Sequence, residues 1–128
     1  MKKLGLMLVL LVGLLAAPAF AAALEVAEGV ITTQVVDREP VDAVESYPAT
    51  VERLYCFTRV TGAEGETRVF HVWFHKGEEL ARVELPVRSP DWRTWSAKTI
   101  LPSLSGEWTV EVQDAEGKAL KILSFSLL

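Results

Sequence analysis

Short runs rich in β-branched and aromatic residues recur along the chain after residue 28, and turn residues separate them. Seven runs are found, at residues 29–36, 51–60, 66–74, 79–87, 92–99, 107–113 and 119–127. No stretch beyond the first 21 residues shows the 3.6-residue period of an amphipathic helix. Strand-length runs at this spacing are typical of sandwiches and barrels. The sequence therefore predicts an all-β fold, an antiparallel β-sandwich of about seven strands with immunoglobulin-like or jelly-roll topology.

Alternation of apolar and polar residues indicates which strand faces are buried. In the sixth run, Trp108, Val110 and Val112 share one face, so we assign them to the core. The third run differs because both of its faces are apolar, with Phe70, Val72 and Phe74 on one and Val69, His71 and Trp73 on the other. Either a loop such as residues 40–50 covers its second face, or that face is a binding surface.

The first 23 residues have the pattern of a secretory signal peptide. Lys2 and Lys3 precede an almost unbroken apolar run of about 14 residues, and the sequence PAFAAA follows. A membrane-spanning helix needs roughly 20 apolar residues, so this run is too short to be an anchor. We expect a signal peptide at residues 1–21, with cleavage possible up to residue 23, and one soluble periplasmic domain at residues 22–128.

Charge limits the partners of the mature chain. The net charge is −4, and it becomes −6 when Lys2 and Lys3 are removed with the signal peptide. Binding to phosphate polymers depends on clustered Lys and Arg, so we expect neither nucleic acid nor an anionic lipid surface as a partner. No second apolar run is long enough to span a bilayer, so we expect no membrane span in the mature chain.

The cysteine and the two histidines give little sign of chemistry. Cys56 is the only cysteine, and its strand context favours a small buried side chain over a reactive thiol. His71 and His75 have the H-x-x-x-H spacing that suits a metal on a helix. Four residues along a strand span roughly 13 Å, too far for one ion, so we predict no metal. No G-x-S-x-G motif or marked Ser-His-Asp set is present, and we predict no catalytic residues and no cofactor.

The segment WRTWSAK at residues 92–98 is the densest unusual feature. Trp and Arg are enriched at interaction hot spots, and a guanidinium can hold a carboxylate bidentately while an indole stacks on a sugar ring. Alternatively, one Trp fills the core and Arg93 packs along the other. The candidate binding residues are His71, Trp73, Arg93 and Lys98. Arg93 and Lys98 fall on opposite faces of their run, so only one can join His71 unless a bulge intervenes.

Several segments together carry a family resemblance, namely LYCFTRV at 54–60, HVWF at 71–74, WRTWSAK at 92–98 and GEWTVEV at 106–112, followed by Gly117 and Phe125. Their order and spacing over about residues 50–127 resemble the bacterial domain of unknown function 2914. The resemblance implies an exported or membrane-attached envelope domain of β type, and it implies no activity. It singles out a set of positions, which are His71, Trp73, Arg93, Thr94, Ser96, Lys98 and Trp108.

These observations together predict a non-enzymatic binding module of the bacterial periplasm that contacts an envelope glycan or an envelope protein. One alternative is a structural accessory protein that pairs through an exposed strand edge. The other is a hydrolase of unrecognised type, which a closed pocket holding His71 beside an acid would favour.

Overall fold

The structure is a computed structural model that describes residues 23–43 and 45–128. The signal peptide predicted at residues 1–21 lies outside these residues. All regular secondary structure in the described part is β-strand, and no helix there is long and apolar enough to cross a membrane. In chain order the strands are β1 (Glu25–Thr32), β2 (Val35–Val36), β3 (Glu39–Pro40), β4 (Ser46–Tyr47), β5 (Arg53–Thr61), β6 (Thr67–His75), β7 (Glu78–Val87), β8 (Asp91–Thr99), β9 (Gly106–Gln113) and β10 (Ala119–Leu127).

The all-β prediction is confirmed, and the seven long strands correspond to the seven predicted runs. The first run was predicted at residues 29–36, whereas β1 spans Glu25–Thr32. The chain bends directly after β1 because the Asp42 carboxylate accepts hydrogen bonds from the Thr32 hydroxyl and the Thr33 amide, both at 2.9 Å. The Thr32 hydroxyl also lies 3.0 Å from the Gln34 carbonyl, a local bond that competes with a strand ladder. The rest of the predicted run therefore forms the separate short strand β2.

The strands form two sheets and a small hairpin. One sheet has the order β1-β5-β8, the other has the order β4-β10-β9-β6-β7, and β2 pairs with β3. Pairing is antiparallel except between β4 and β10. β7 and β8 are the edge strands on one side of the sandwich, where they contact each other. β1 likewise contacts β10 on the other side.

The core lies between the two sheets as a larger and a smaller apolar cluster. The buried residues of the larger cluster are Ile31, Tyr47, Ala49, Leu54, Cys56, Trp73, Ile100, Trp108, Val110, Phe125 and Leu127. Those of the smaller cluster are Val60, Ala63, Val69, Val87 and Val112. The Trp108 ring is 1% exposed and stacks on Phe125 with 5.7 Å between ring centroids. The assignment of Trp108, Val110 and Val112 to the core is therefore confirmed.

The outer face of β6 is covered by side chains of its own sheet. Val72 lies on this face and is fully buried, and Arg82 of β7 is its partner in the register. The Arg82 guanidinium lies 5.9 Å from the Phe70 ring and donates to Gln113 Oε1 at 3.1 Å. Arg68 approaches the same ring at 5.6 Å. Long arginine stems can cover apolar surface in this way, which explains why both faces of β6 are apolar.

Candidate functional site

The structure does not bring the four predicted binding residues together. His71 and Trp73 lie on the inner face of β6 and are 0% exposed. Lys98 lies on the inward-facing side of β8, where its ammonium donates to the Thr99 carbonyl at 3.1 Å, whereas Arg93 faces outward. The register between β5 and β8 runs without a shift from Arg53 to Thr61. No bulge in that ladder therefore brings Arg93 and Lys98 to the same face.

His71 is part of a hydrogen-bonded chain that joins the two sheets. Its Nδ1 lies 2.7 Å from Ser96 Oγ, and its Nε2 lies 3.1 Å from Thr58 Oγ1. Trp73 Nε1 donates to the same Ser96 oxygen at 3.2 Å, and the Thr58 hydroxyl donates to the Thr94 carbonyl at 3.3 Å. Ser96 and Thr58 belong to the three-stranded sheet, whereas His71 and Trp73 belong to the five-stranded sheet.

The donors in this chain fix its direction. Because the Thr58 proton is given to the Thr94 carbonyl, Thr58 Oγ1 accepts from His71 Nε2, which therefore carries the ring proton. His71 Nδ1 then accepts from the Ser96 hydroxyl, and Ser96 Oγ accepts from the Trp73 indole. With a neutral imidazole at His71, every polar side-chain atom in this hydrogen-bonded series has a partner.

Burial keeps the imidazole of His71 neutral. Loss of solvation lowers the pKa of His71 from 6.5 to about 4, because the charged ring is disfavoured in an apolar interior. A second ring proton at Nδ1 would also force the Ser96 hydroxyl to turn away and find another acceptor. This cluster therefore stabilises the packing of one sheet on the other.

The cluster contains a Ser–His pair, but it lacks the arrangement of a catalytic triad. Both ring nitrogens of His71 are occupied by hydroxyl groups, so neither contacts a carboxylate. The pair is enclosed, with Ser96 only 5% exposed. A nucleophile must reach its substrate, and its base must be oriented by a further group. A closed pocket holding His71 beside an acid would have favoured a hydrolase. The hydrogen-bond partners of the His71 ring are hydroxyl groups instead.

An open groove of about 340 Å³ lies where the edge strands β7 and β8 meet. We call it the arginine groove. Its lining residues are Arg38, Pro86, Arg88, Trp92, Arg93, Thr94 and Trp95. Three of the seven arginines of the chain thus line one groove, together with two tryptophans.

The β2–β3 hairpin brings Arg38 to this groove. Its two-residue turn consists of Asp37 and Arg38 at φ values of 53° and 63°, and positive φ at both positions is the type I′ geometry of tight hairpins. A left-handed conformation costs an ordinary residue such as Arg roughly 1–2 kcal/mol. The turn places the Arg38 guanidinium 5.7 Å from the centre of the Trp92 ring. Strain of this kind often marks functional positions.

The other two arginines of the groove are held by exposed ion pairs. Arg93 Nη1 lies 3.3 Å from the Glu39 carboxylate and donates to the Arg38 carbonyl at 3.4 Å. Arg88 lies 3.6 Å from Glu66, in a looser pair with both side chains well exposed. The Arg38 guanidinium has no carboxylate within ion-pair distance among the described residues. The groove therefore presents an excess of positive charge in an acidic protein.

The tryptophans of the groove are anchored by the fold. Trp92 packs against the smaller core cluster and is partly buried. Trp95 faces outward and stacks on the fully buried Phe57, with ring centroids 6.5 Å apart. The alternative predicted that one Trp of this segment fills the core and that Arg93 packs along the other. Trp92 packs against the smaller core cluster, but the arginine over a Trp ring is Arg38, over Trp92, rather than Arg93.

Sequence reasoning identified Arg93 but missed Arg38 and Arg88. Arg38 is 55 residues from Arg93 in the sequence, and only the hairpin joins them. The one local signal is the segment Asp37–Pro40, which directly follows the first predicted run at residues 29–36. A tight turn without glycine at that point indicates a conformation maintained at some energetic cost.

A second groove of about 390 Å³ lies between β1 and β10 on the opposite side of the sandwich. Its lining includes Gly29, Ala43, Lys121, Ile122 and Leu123. Ile122, on β10, is 57% exposed in this groove. β1 has no strand partner on its outer side within the described residues.

Cysteine and metal chemistry can be assessed for the described residues. Cys56 is 0% exposed in the larger core cluster, and burial raises the pKa of its thiol. The prediction that Cys56 is buried is confirmed. Within residues 23–43 and 45–128, no group of three or more His, Cys, Asp and Glu side chains could hold a metal ion. His75 ends β6 and contacts the Ser105 carbonyl through Nε2 at 2.8 Å.

Comparison with known proteins identifies a family and no characterised relative. No curated protein matches the chain. The family model described as "Protein of unknown function (DUF2914)" matches residues 66–127, which contain β6 to β10 and most of the arginine groove, although Arg38 lies outside the match. The resemblance found in the sequence is thereby confirmed over residues 66–127.

Proposed function

We propose that the protein is a non-enzymatic binding module of the bacterial cell envelope, exported to the periplasm, which holds an envelope glycan or protein at the arginine groove. The observation that carries this proposal is the convergence of Arg38, Arg88 and Arg93 beside Trp92. Arg88 and Arg93 have exposed carboxylate partners and Arg38 has none, so the groove keeps a net positive charge that an anionic ligand would neutralise.

The residue types in the groove support a binding role. Arg and Trp are the side chains that contribute most to interaction hot spots. A guanidinium offers a planar set of donors that matches a carboxylate, and it is weakly hydrated compared with an ammonium. All basic residues that line the groove are arginines. Each is also at least partly exposed and so accessible to a ligand.

The buried Ser96–His71 pair supports a non-enzymatic role. The hydrogen bonds run from Trp73 through Ser96 to His71, and from His71 through Thr58 to a main-chain carbonyl. Every step joins atoms of the protein interior. A substrate would have to separate the two sheets to reach the imidazole.

Strand pairing is a second candidate function, favoured by the groove between β1 and β10. The outer side of β1 is a free edge among the described strands, and the exposed Ile122 lies beside it. An incoming strand could add its main-chain hydrogen bonds to β1 and cover Ile122. This would give an accessory protein that assembles through an edge, and it needs none of the groove arginines.

Export can be tested on the processed protein. We expect N-terminal sequencing to find Ala22 or Leu24 as the first residue, with the protein recovered in the soluble periplasmic fraction. The physical reason is the small-residue cleavage pattern that ends an apolar run too short to span a bilayer. A protein that begins at Met1 and stays with the membrane would contradict this part of the proposal.

Binding can be tested by capture from an envelope extract. We expect the variant carrying both Arg38→Ala and Arg93→Ala to lose material that the wild-type protein retains. Arg53→Ala is a matched control because it removes an exposed arginine of β5 that does not line the groove. Ile122→Lys tests the second candidate, since it places a charge on the free edge. Loss of capture in Ile122→Lys alone would favour strand pairing instead.

A further inference from the structure

We propose that the ligand of the arginine groove is a sugar chain bearing carboxylate groups, and that Glu39 occupies Arg93 in the free protein as an internal substitute for one of them. This inference rests on the proposed function and specifies its ligand. It combines the contacts of Arg93, the ring side chains of the groove and the acidic residues around it.

The pairing of Arg93 shows which ligand group the groove accepts. The Glu39 carboxylate lies 3.3 Å from Arg93 Nη1, and its side chain is 57% exposed. Glu39 follows Arg38 directly, at the start of β3. The carboxylate is thus delivered to Arg93 by the same hairpin that places Arg38 over Trp92. Exposed pairs of this kind are weak, so an incoming carboxylate can replace Glu39 at little cost.

Three rings line the groove beside the guanidiniums. They belong to Pro86, Trp92 and Trp95, and Trp95 is held in place by its stack on Phe57. The flat indole of Trp95 suits the C–H face of a pyranose, whereas the Trp92 ring already contacts Arg38 and the core. The few charged groups beside these rings fix the orientation of the sugar. A sugar that carries a carboxylate can use both kinds of surface at once.

Pro86 favours a sugar chain over a peptide strand. It belongs to β7, which is an edge strand of the five-stranded sheet. Proline has no amide hydrogen, and on an edge it discourages strand addition. A ligand at this point therefore binds without a full main-chain ladder, as a glycan does.

The charges around the groove favour separate carboxylates over a dense phosphate polymer. Glu39 and Glu66 pair with groove arginines, and Asp91 lies in the strand that supplies Trp92 and Arg93. Asp91 is itself held by Arg59 at 2.7 Å. Arg88 and Arg93 thus each accept one carboxylate already, and a chain with one carboxylate per sugar ring can offer the same group to them.

The test is titration calorimetry of the processed protein with a galacturonate tetramer and with its fully methyl-esterified form. The ester keeps the rings and removes the charge. We expect the acid to bind, and the ester to bind at least about tenfold more weakly because the charge-assisted hydrogen bonds are lost. Equal binding of the two forms would overturn the proposal.

Variants test the role of Glu39. We expect Glu39→Gln to bind the tetramer about two- to fivefold more tightly, the range that an exposed ion pair accounts for. Arg93→Ala should bind at least about tenfold more weakly. Glu116→Gln, which removes an exposed charge in the turn before β10, should match the wild type. Unchanged or weaker binding by Glu39→Gln would overturn the internal substitute.

Two further ligands separate this inference from the proposed function. A tetraglutamate peptide carries the same charges without sugar rings, and we expect it to bind more weakly than the galacturonate tetramer. Inorganic phosphate should not compete with the tetramer at equal concentration. If the peptide binds best, or phosphate displaces the tetramer, the sugar assignment is overturned. The proposed function still stands in that case if the groove variants lose capture from the envelope extract.

Discussion

Polar side chains converge in two regions of this molecule, and the two regions treat them in opposite ways. Around His71, hydroxyl, indole and imidazole groups satisfy one another between the sheets, and no buried side-chain polar atom in the described residues lacks a partner. In the arginine groove, guanidiniums exceed their carboxylate partners and stay exposed. Burial forces complete satisfaction, whereas exposure leaves capacity for a ligand. The first region therefore stabilises the fold, and the second is available for binding.

The largest effect should come from the core. We expect Trp108→Ala to lower the free energy of unfolding by about 3–5 kcal/mol, as for other large-to-small changes at buried aromatic sites. Trp108 stacks on Phe125, and its indole donates to the Leu104 carbonyl at 2.8 Å. Denaturant unfolding followed by circular dichroism measures the change. Trp92→Ala, in the groove, should lower the free energy of unfolding by less. An equal decrease would show that the groove contributes as much to stability as the core does.

The next effect is a pH dependence of stability. Because the pKa of His71 is lowered to about 4 in the folded protein from 6.5, the unfolded chain binds more protons between these values. Stability should therefore be full above about pH 6.5 and fall by about 3 kcal/mol as the pH drops to about 4. Unfolding curves at several pH values measure this. The loss of stability between pH 6.5 and 4 should remain in His75→Gln and become smaller in His71→Gln. An unchanged loss in His71→Gln would show that His71 is not the group responsible.

A somewhat smaller loss of stability should follow from breaking the hydrogen-bonded chain around His71. We expect Ser96→Ala to cost about 2–3 kcal/mol, since it strands His71 Nδ1 and the Trp73 indole in the interior. Thermal and denaturant unfolding give the value. Ser124→Ala removes a serine from the surface of β10 and should change stability by less than about 0.5 kcal/mol. Similar small values for both would show that the chain contributes little to sheet packing.

Cys56 should show a smaller effect again. We expect Cys56→Ala to lower stability by roughly 1 kcal/mol through a small cavity. The folded protein should also resist alkylation, because burial raises the pKa of the thiol and encloses the sulfur. Mass spectrometry after brief alkylation, with and without denaturant, tests this. A disulfide-linked dimer on non-reducing gels would contradict the assignment to the core.

The smallest effect on stability should come from the groove itself. We expect Arg93→Ala to lower the free energy of unfolding by less than about 1 kcal/mol, because its ion pair with Glu39 is exposed. Ligand capture should nevertheless be lost. If Arg93→Ala unfolds the domain as severely as Trp108→Ala, then Arg93 is a structural residue and the groove loses its role as the region left available for binding.

Local alternation was enough to predict most of the fold and little of the site. Trp108 and Val110 alternate with polar neighbours, so their side of β9 could be assigned from sequence alone. The face of β6 that carries His71 could not be assigned in this way, because β6 is apolar on both faces. What decides it is the pairing of His71 with Thr58 and Ser96 of the opposite sheet, a contact that no local pattern encodes.

The arginine groove also depends on contacts between distant residues that no local pattern encodes. Arg38 and Arg93 are brought together by a hairpin of two-residue strands, which is too short to show any alternation. Sequence could show that Trp92 and Arg93 form an unusual segment. It could not show that Arg38 reaches the Trp92 ring, because that depends on the positive φ values of the turn.

The placement of β10 also determines when the fold can close. This strand lies between β9 and β4, contacts β1, and carries Phe125 and Leu127 into the core. Until residues 119–127 have been synthesised, β9 and β1 lack this neighbour, and the apolar faces of the earlier strands stay uncovered. Pairing of β10 with Tyr47 must also close a long loop, which slows folding. The earlier strands therefore stay partly uncovered until β10 pairs, and in that state their apolar faces favour aggregation.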